Sequence, residues 1–431
     1  MIQEIRIKNF MSFKDEVTFS FDASNDKFAE DYQVVKINET TRLLRFAVVY
    51  GYNASGKSNL LKAIDFLRSF WFRKPNDLNE KTGVVPFKLD SHSPLEHTKF
   101  ELVFYVDTTK YAYLLELDNQ QVYTEKLSYY KSEQPTLLFD RRLENGQSVI
   151  NFGSSLKISK IVKESIAINC LKNMSFFAAS NQVNTSIELL DIGKMYLRDN
   201  MMPSIQPSSD LIKNAQIWIS EDETLSNYLL NFLYEADFNI SNIQTESTPI
   251  TPSKEYVEIL SNFVRQKGYS TDLINNFIYN NSRNYRTTLS HSVENEEGNK
   301  TYQLSLDDGE ESIGTARILG IGACISKIIK YNWFQTIDEI ETSLHPKLLE
   351  KILYEFLKAE NSQSQLIVTT HNDGLLDLTD DLIRKDSVWF TEKQKNGATD
   401  LYKLTDFRGI NRLSSIREAY RNKRFGATMN D

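Results

Sequence analysis

Gly51-Tyr52-Asn53-Ala54-Ser55-Gly56-Lys57-Ser58 is the stretch from which the rest of the chain is read. A mostly apolar run, Leu43 to Tyr50, precedes it, and Asn59-Leu60-Leu61-Lys62-Ala63-Ile64-Asp65-Phe66-Leu67 follows. Val48 and Val49 suit a buried strand, while Leu60, Ile64 and Leu67 share one helix face. Strand, glycine loop and helix in that order, with the spacing G-x-x-x-x-G-K-S, make a P-loop. The backbone N–H groups of such a loop form a concave anion site, and the following helix adds its positive end. The expected phosphate-binding residues are Gly51, Asn53, Ala54, Ser55, Gly56, Lys57, Ser58 and Asn59. Lys57 reaches the outer phosphates, and the Ser58 hydroxyl is an expected Mg²⁺ ligand.

At 431 residues the chain has length for two or three domains and a sizeable core. Its hydrophobic content of 40% and charged content of 25% are those of a globular protein. The net charge of −8 argues against a uniformly basic nucleic-acid coat, although a local basic groove is compatible with it. Two cysteines, Cys170 and Cys324, exclude a disulfide framework and fit a reducing, cytoplasmic setting. No apolar run is long enough to span a membrane, and the N-terminus alternates like a strand rather than a signal peptide. Five scattered histidines offer no metal cluster.

Beyond the P-loop the pattern is first β and then α. Residues 1–20 read as two strands about Asn9-Phe10-Met11-Ser12-Phe13. Phe100–Val106, Tyr111–Leu117 and Val122–Leu127 form an antiparallel meander. From 155 to 290 the spacing is mostly helical, over Leu156–Leu171, Thr185–Met201, Leu211–Glu235 and Tyr256–Tyr279. Strand character returns at Arg286–Ser290 and Thr301–Leu306. An acidic turn, Asp307 to Glu311, then leads into Ser312-Ile313-Gly314-Thr315 and a helix to Tyr331. Three parts follow: an N-terminal lobe (1–154), a helical insertion (155–290) and a C-terminal lobe (291–431).

Nucleotide hydrolysis needs a carboxylate near Mg²⁺ and a group that positions water. Phe334-Gln335-Thr336-Ile337-Asp338-Glu339 is a strand ending in two acids. Asp338 is the expected Mg²⁺ ligand and Glu339 the general base. Leu366-Ile367-Val368-Thr369-Thr370-His371 is a second strand, ending on a histidine suited to the terminal phosphate and the attacking water. Glu339, His371 and Lys57 are thus the catalytic set. Ser312, Gly314 and Thr315 open a helix whose N–H groups suit a second anion. His345, beside Pro346, reads as a helix cap or an intersubunit contact.

The order P-loop, Ser-x-Gly-Thr-x-Arg (Ser312 to Arg317), Asp338-Glu339-Ile340-Glu341-x-Ser343-Leu344-His345-Pro346, then Thr-Thr-His resembles the ABC-type ATPases of the RecF, SMC and overcoming-lysogenisation-defect group within the AAA family. More narrowly it is similar to the ATPase subunits of bacterial anti-phage systems of the AbiL and PARIS kind. The tail stretches Trp389 to Lys393 and Gly397 to Thr399 belong to the same likeness. The fold it implies is α/β, a P-loop NTPase of ABC-ATPase type with an antiparallel β subdomain and a helical insertion. It implies ATP and Mg²⁺, with ATP held between two protomers in a homodimer or higher homo-oligomer. The P-loop of one copy would face Ser312, Gly314 and Thr315 of the other. It also implies a switch acting on a separate effector, a Toprim-like nuclease; the alternative is a genome-maintenance ATPase acting directly on DNA.

Three positions depart from that pattern. Ile313 replaces a glycine, Met11 stands where some relatives carry arginine, and no glutamine is evident after the P-loop helix, since Gln120 and Gln121 fall in a turn. Slow turnover is the expectation. The basic tail, Arg408, Arg412, Arg417, Arg421, Lys423 and Arg424 against Glu418, is a candidate contact for nucleic acid or an acidic partner.

Overall fold

The computed structural model describes residues 1–235, 239–250, 253–266, 283–295 and 298–428. The chain opens with β1 (Ile2–Lys8), β2 (Val17–Ser20), β3 (Val34–Lys36), β4 (Arg42–Leu44) and β5 (Phe46–Tyr50), then the P-loop helix (Lys57–Phe72). Next come β6 (Thr98–Val106), β7 (Thr109–Leu117), β8 (Val122–Tyr130), β9 (Pro135–Glu144) and β10 (Gln147–Phe152). Helices Lys160–Asn169, Glu188–Asp199, Ile212–Glu221 and Glu223–Glu235 lead to β11 (Ile240–Pro249). After helix Lys254–Gln266 come β12 (Arg283–Asn295), β13 (Gly298–Ser305) and a long helix, Ile313–Tyr331. β14 (Phe334–Ile337), helix Pro346–Lys358, β15 (Gln365–Thr370), β16 (Val388–Lys393), β17 (Thr399–Lys403) and helix Ile416–Arg421 complete the chain.

Two sheets frame the site. The first has the order β14-β15-β5-β16-β17, parallel except for the β16–β17 hairpin. The second is antiparallel, in the order β10-β9-β8-β7-β6-β1-β2. β5 shows how they share one core. Ala47 and Val49 pack with the P-loop helix and the antiparallel sheet, whereas Phe46, Val48 and Tyr50 pack with the helices of the other face. A strand buried on both faces reads as an unbroken apolar run, which is what Phe46-Ala47-Val48-Val49-Tyr50 is. The P-loop helix lies between the sheets, with Leu60, Leu61, Ile64, Leu67, Phe70 and Trp71 in the same cluster as Phe100, Leu102 and Tyr113. Burying side chains of this size is worth about 2 kcal/mol each, so the loop ahead of the helix sits on a firm base.

One buried ion pair fixes the exit from the antiparallel sheet. Arg141 and Glu125 meet at 3.0 Å, essentially without exposure. The pair is saturated: Glu125 accepts from Tyr113 Oη, Ser175 Oγ and Phe176 N, and Arg141 donates to the carbonyls of Leu171 and Met174. A buried pair persists only when its remaining valences are met in this way.

The stretch 155–290 is not helical throughout. It is helical up to Glu235 and then enters β11, and β12 begins within it at Arg283. β11, β12 and β13 form a separate antiparallel sheet. Ile240 to Thr248 is polar and rich in threonine, and alternating exposure leaves only Ile240 and Ile243 buried. Such a strand carries little apolar periodicity, so its type is set by pairing with β12. Of the expected helix Tyr256–Tyr279, residues 267–282 lie outside the described residues. The acidic turn has a definite task. Asp307 accepts from Gln216 Nε2 and from Thr287 N, which ties helix Ile212–Glu221 and β12 together just ahead of Ser312.

Candidate functional site

The P-loop leaves β5 at Gly51 and enters its helix at Lys57. Gly56 has φ +116°, and a Cβ there would lie 2.4 Å from Thr399 Oγ1. A Cβ on Gly51 would lie 2.4 Å from both Ser55 Oγ and Thr391 Oγ1. The β16–β17 hairpin therefore presses against the loop from behind. Ser55 Oγ bonds Thr391 Oγ1 at 2.7 Å, and Thr399 Oγ1 donates to Ser55 O at 2.8 Å. From the front, the turn Asn9–Phe13 brings Ser12 in, and Asn59 Nδ2 donates to Ser12 Oγ at 2.8 Å.

A cleft of about 360 Å³ opens over the loop. Asn53, Ala54, Ser55, Gly56, Lys57, Ser58, Asn59, Glu339 and His371 of the expected set all line it. Gly51 contributes through its carbonyl, which accepts from Lys57 Nζ at 2.8 Å. The ammonium also lies 3.3 Å from Tyr52 O and 3.1 Å from His371 Nε2. Burial pushes Lys57 below the ordinary lysine range, against the pull of Asp338, Glu339 and Glu341. Burial and the neighbouring Lys57 charge together push His371 down, so its ring is neutral at pH 7 and Nε2 is free to accept from Lys57.

The two acids sit side by side in different settings. Asp338 is 5% exposed, and its Oδ1 accepts from Thr369 Oγ1 at 2.5 Å. The same hydroxyl accepts from Glu339 N at 2.9 Å, so one threonine of β15 sets the end of β14. Glu339 has φ +45°, a left-handed backbone that costs energy outside glycine and recurs where function over-determines it. Its side chain is half-exposed and reaches within 3.8 Å of His371 Nε2. Both acids occupy the C-terminal edge of a parallel sheet, where α/β proteins bind ligands.

Ser312, Gly314 and Thr315 do not line this cleft. Ser312 caps helix Ile313–Tyr331, accepting from Thr315 N at 3.0 Å, and Ile313 is largely exposed. His345 caps helix Pro346–Lys358 by accepting from Lys347 N through Nδ1 at 3.3 Å.

The fold brings further residues to the site. Ser12, Lys62 and Lys393 also line the cleft. Glu341, two residues beyond Glu339, accepts from His371 N at 2.5 Å, with its other oxygen buried. Among the described residues no glutamine lines the cleft: Gln206, which follows the P-loop helix in the chain, donates from Nε2 to Ser204 Oγ at 3.0 Å. Residues 201–205 run parallel to β14 through bridges Met201–Phe334 and Ile205–Ile337, and Asp338 N donates to Ile205 O at 2.8 Å. Pro203 lies between the two bridges, at the open edge of the sheet, where proline is tolerated. In the basic tail, Arg417 meets Asp373 and Asp377, and Arg421 meets Asp373, so these two arginines are engaged within the chain.

The family described as "AAA domain, putative AbiEii toxin, Type IV TA system" matches residues 46–151 and 181–377. The SMC head domain from Thermotoga maritima aligns in structure at 13% identity, covering 93% of this chain and 98% of that one, with a TM-score of 0.40. An SMC head bound to the C-terminal winged-helix domain of ScpA aligns at 11% identity, covering 94% and 99%, with a TM-score of 0.42. No curated protein matches in sequence. The matched family residues run from β5 through the P-loop, Asp338, Glu339 and His371, and the chain belongs to this family of AAA-type P-loop ATPase domains.

Proposed function

We propose that the chain is a slow ATP hydrolase that works as a two-copy switch. One observation carries the reading: a single cleft joins Lys57 and Ser58 to Glu339 and His371, while Ser312, Gly314 and Thr315 stand outside it. A phosphate cradle with a base and a histidine is a hydrolytic site; a helix start that lies outside this cleft and suits an anion fits nucleotide held in trans. The loop N–H groups and Lys57 bind the phosphates, and Lys57 exchanges its bonds to the Gly51 and Tyr52 carbonyls for phosphate oxygens. Glu339 accepts a proton from the attacking water, and His371 orients that water and the terminal phosphate. The Ser58 hydroxyl and Asp338 are hard oxygen donors that would suit Mg²⁺. Bound there, Mg²⁺ neutralises phosphate charge.

The switch acts, on this reading, in the cytoplasm as part of a defence system against phage, through a separate nuclease effector of Toprim kind. The description of the matched family, which speaks of a toxin and a type IV TA system, supports a role in such conflict systems. Among the described residues no helix is long and apolar enough to cross a membrane. Affinity capture from the native host identifies the effector; a chain that cleaves nucleic acid unaided sinks that part of the reading.

Glu339→Gln tests the core of it. The carboxamide keeps the shape and loses the base, so ATP binding persists while turnover falls about 100-fold or more. The variant should accumulate as an ATP-bound dimer in sedimentation. Hydrolysis at the parent rate would remove Glu339 from its role.

A further inference from the structure

His371 stands one residue past the end of β15, and the pairing of β15 with β14 stops at Ile337 and Val368. Beyond that register the two segments are tied by a different set of bonds. Glu339 N donates to Thr369 Oγ1 at 2.9 Å, and Ile340 N donates to Thr369 O at 3.1 Å. The last rung is a side chain: Glu341 Oε1 accepts from His371 N at 2.5 Å. The turn that presents Glu341 is closed on itself. Thr342 N donates to Glu339 O and Leu344 N to Glu341 O, each at 2.9 Å, and Ser343 has φ +61°.

A peptide N–H past the end of a strand has lost its ladder partner and needs another acceptor. A carboxylate is a strong one, since a charge-assisted bond is roughly twice as strong as a neutral one. It grips His371 by the backbone, which leaves the imidazole for the cleft. There Nε2 lies 3.1 Å from Lys57 Nζ and 3.8 Å from Glu339 Oε1. Glu341 itself stays outside the cleft lining. Its second oxygen is buried without a partner, which costs stability and counts against a role in holding the fold alone. Glu339 and Glu341 thus leave the same turn, one toward the cleft and one toward the backbone of the histidine that shares it.

We propose that Glu341 is a positioning residue for hydrolysis, which sets His371 against Glu339 by holding the backbone N–H of His371. The proposal rests on the hydrolytic reading of Glu339 and His371 above; the contact itself does not.

Steady-state ATPase of the full chain tests it. Glu341→Ala removes the acceptor, and kcat should fall about tenfold or more, the scale of a misplaced catalytic group. KM for ATP should stay within about twofold, because the loop and Lys57 are untouched. Glu341→Gln keeps an acceptor oxygen at the same reach and should recover most of the turnover. In a His371→Ala background, Glu341→Ala should cost no more than about a further twofold, since it acts through the side chain already removed. A residue that only held the fold would cost as much in either background. Amide exchange at His371 in the nucleotide-free chain should speed about tenfold in Glu341→Ala, the loss of one hydrogen bond. Should Glu341→Ala not fold, Glu341→Asp, which keeps the charge and draws the oxygen back by one methylene, makes the same test. Independent losses from Glu341→Ala and His371→Ala, equal losses in Glu341→Ala and Glu341→Gln, or unchanged exchange at His371 overturn the proposal. If His371→Ala hydrolyses ATP at the parent rate, the hydrolytic reading of His371 falls instead, and the exchange rate alone decides whether Glu341 holds it.

Discussion

Gly56 is glycine because of Thr399. The left-handed φ of +116° alone disfavours a side chain, and the hydroxyl and methyl of Thr399 fill the space a Cβ would take. Gly56→Ala should therefore cost about 2–4 kcal/mol of stability, through backbone strain and overpacking together. Denaturant melts check this, and adding Thr399→Ala should return the overpacking share while leaving the strain. At this scale the sequence was partly legible. The spacing of Gly51, Gly56, Lys57 and Ser58 announces the loop without any structure, since local backbone geometry dictates it. Thr391 and Thr399 lie in tail stretches that share the family likeness, but their contacts with the P-loop exist only once folding puts them there. Glu341 is similar: in sequence it is one acid among several, and in the fold it holds the backbone of His371.

Among the elements, the one after His371 links the site to the C-terminus. The short 3₁₀ turn Asp373–Leu378 follows β15 directly. Asp373 accepts from Arg417 Nε at 3.1 Å and Arg421 Nε at 2.5 Å, and Asp377 accepts from Arg417 Nη1 at 2.6 Å. Tyr420 of the same helix stacks on Phe390, and lies near Tyr50. Burial raises the Asp373 carboxyl, but Arg421 and Arg417 more than offset this and hold it below its ordinary value of 3.8. A depressed folded pKa means that the latch contributes fully above about pH 4 and is lost as pH falls below that. Hydrogen exchange in helix Ile416–Arg421 should rise below pH 4. Asp373→Asn should raise it at pH 7 by a factor corresponding to about 1 kcal/mol, the scale of part-exposed pairs. The helix was not legible as a latch, since its arginines are equally consistent with a solvated basic face until Asp373 is seen opposite them.

At the scale of the molecule, the P-loop cleft and the start of helix Ile313–Tyr331 belong to two different clefts of one chain. The two-copy reading then makes a sharp prediction for mixed chains. Lys57→Ala and Ser312→Arg chains should each be inactive alone. Mixed, half the dimers would carry one intact site and one doubly defective site, returning about a quarter of the parent ATPase. A mixture as inactive as its components would mean that the signature residues do not act across copies.

The sequence by itself determined the phosphate loop, its flanking strand and helix, the two acids after Ile337, and the histidine after Thr370. Each is written in a few neighbouring residues whose local geometry leaves little choice. The tertiary structure alone decided that β14, β15 and β5 lie side by side, so that Glu339 and His371 share a cleft with Lys57. It also decided that residues 201–205 bridge to β14, that Ile240–Pro249 pairs as a strand, and that Nε and Nη2 of Arg317 are buried without a partner. These depend on contacts between residues far apart in the chain, and no local periodicity encodes them.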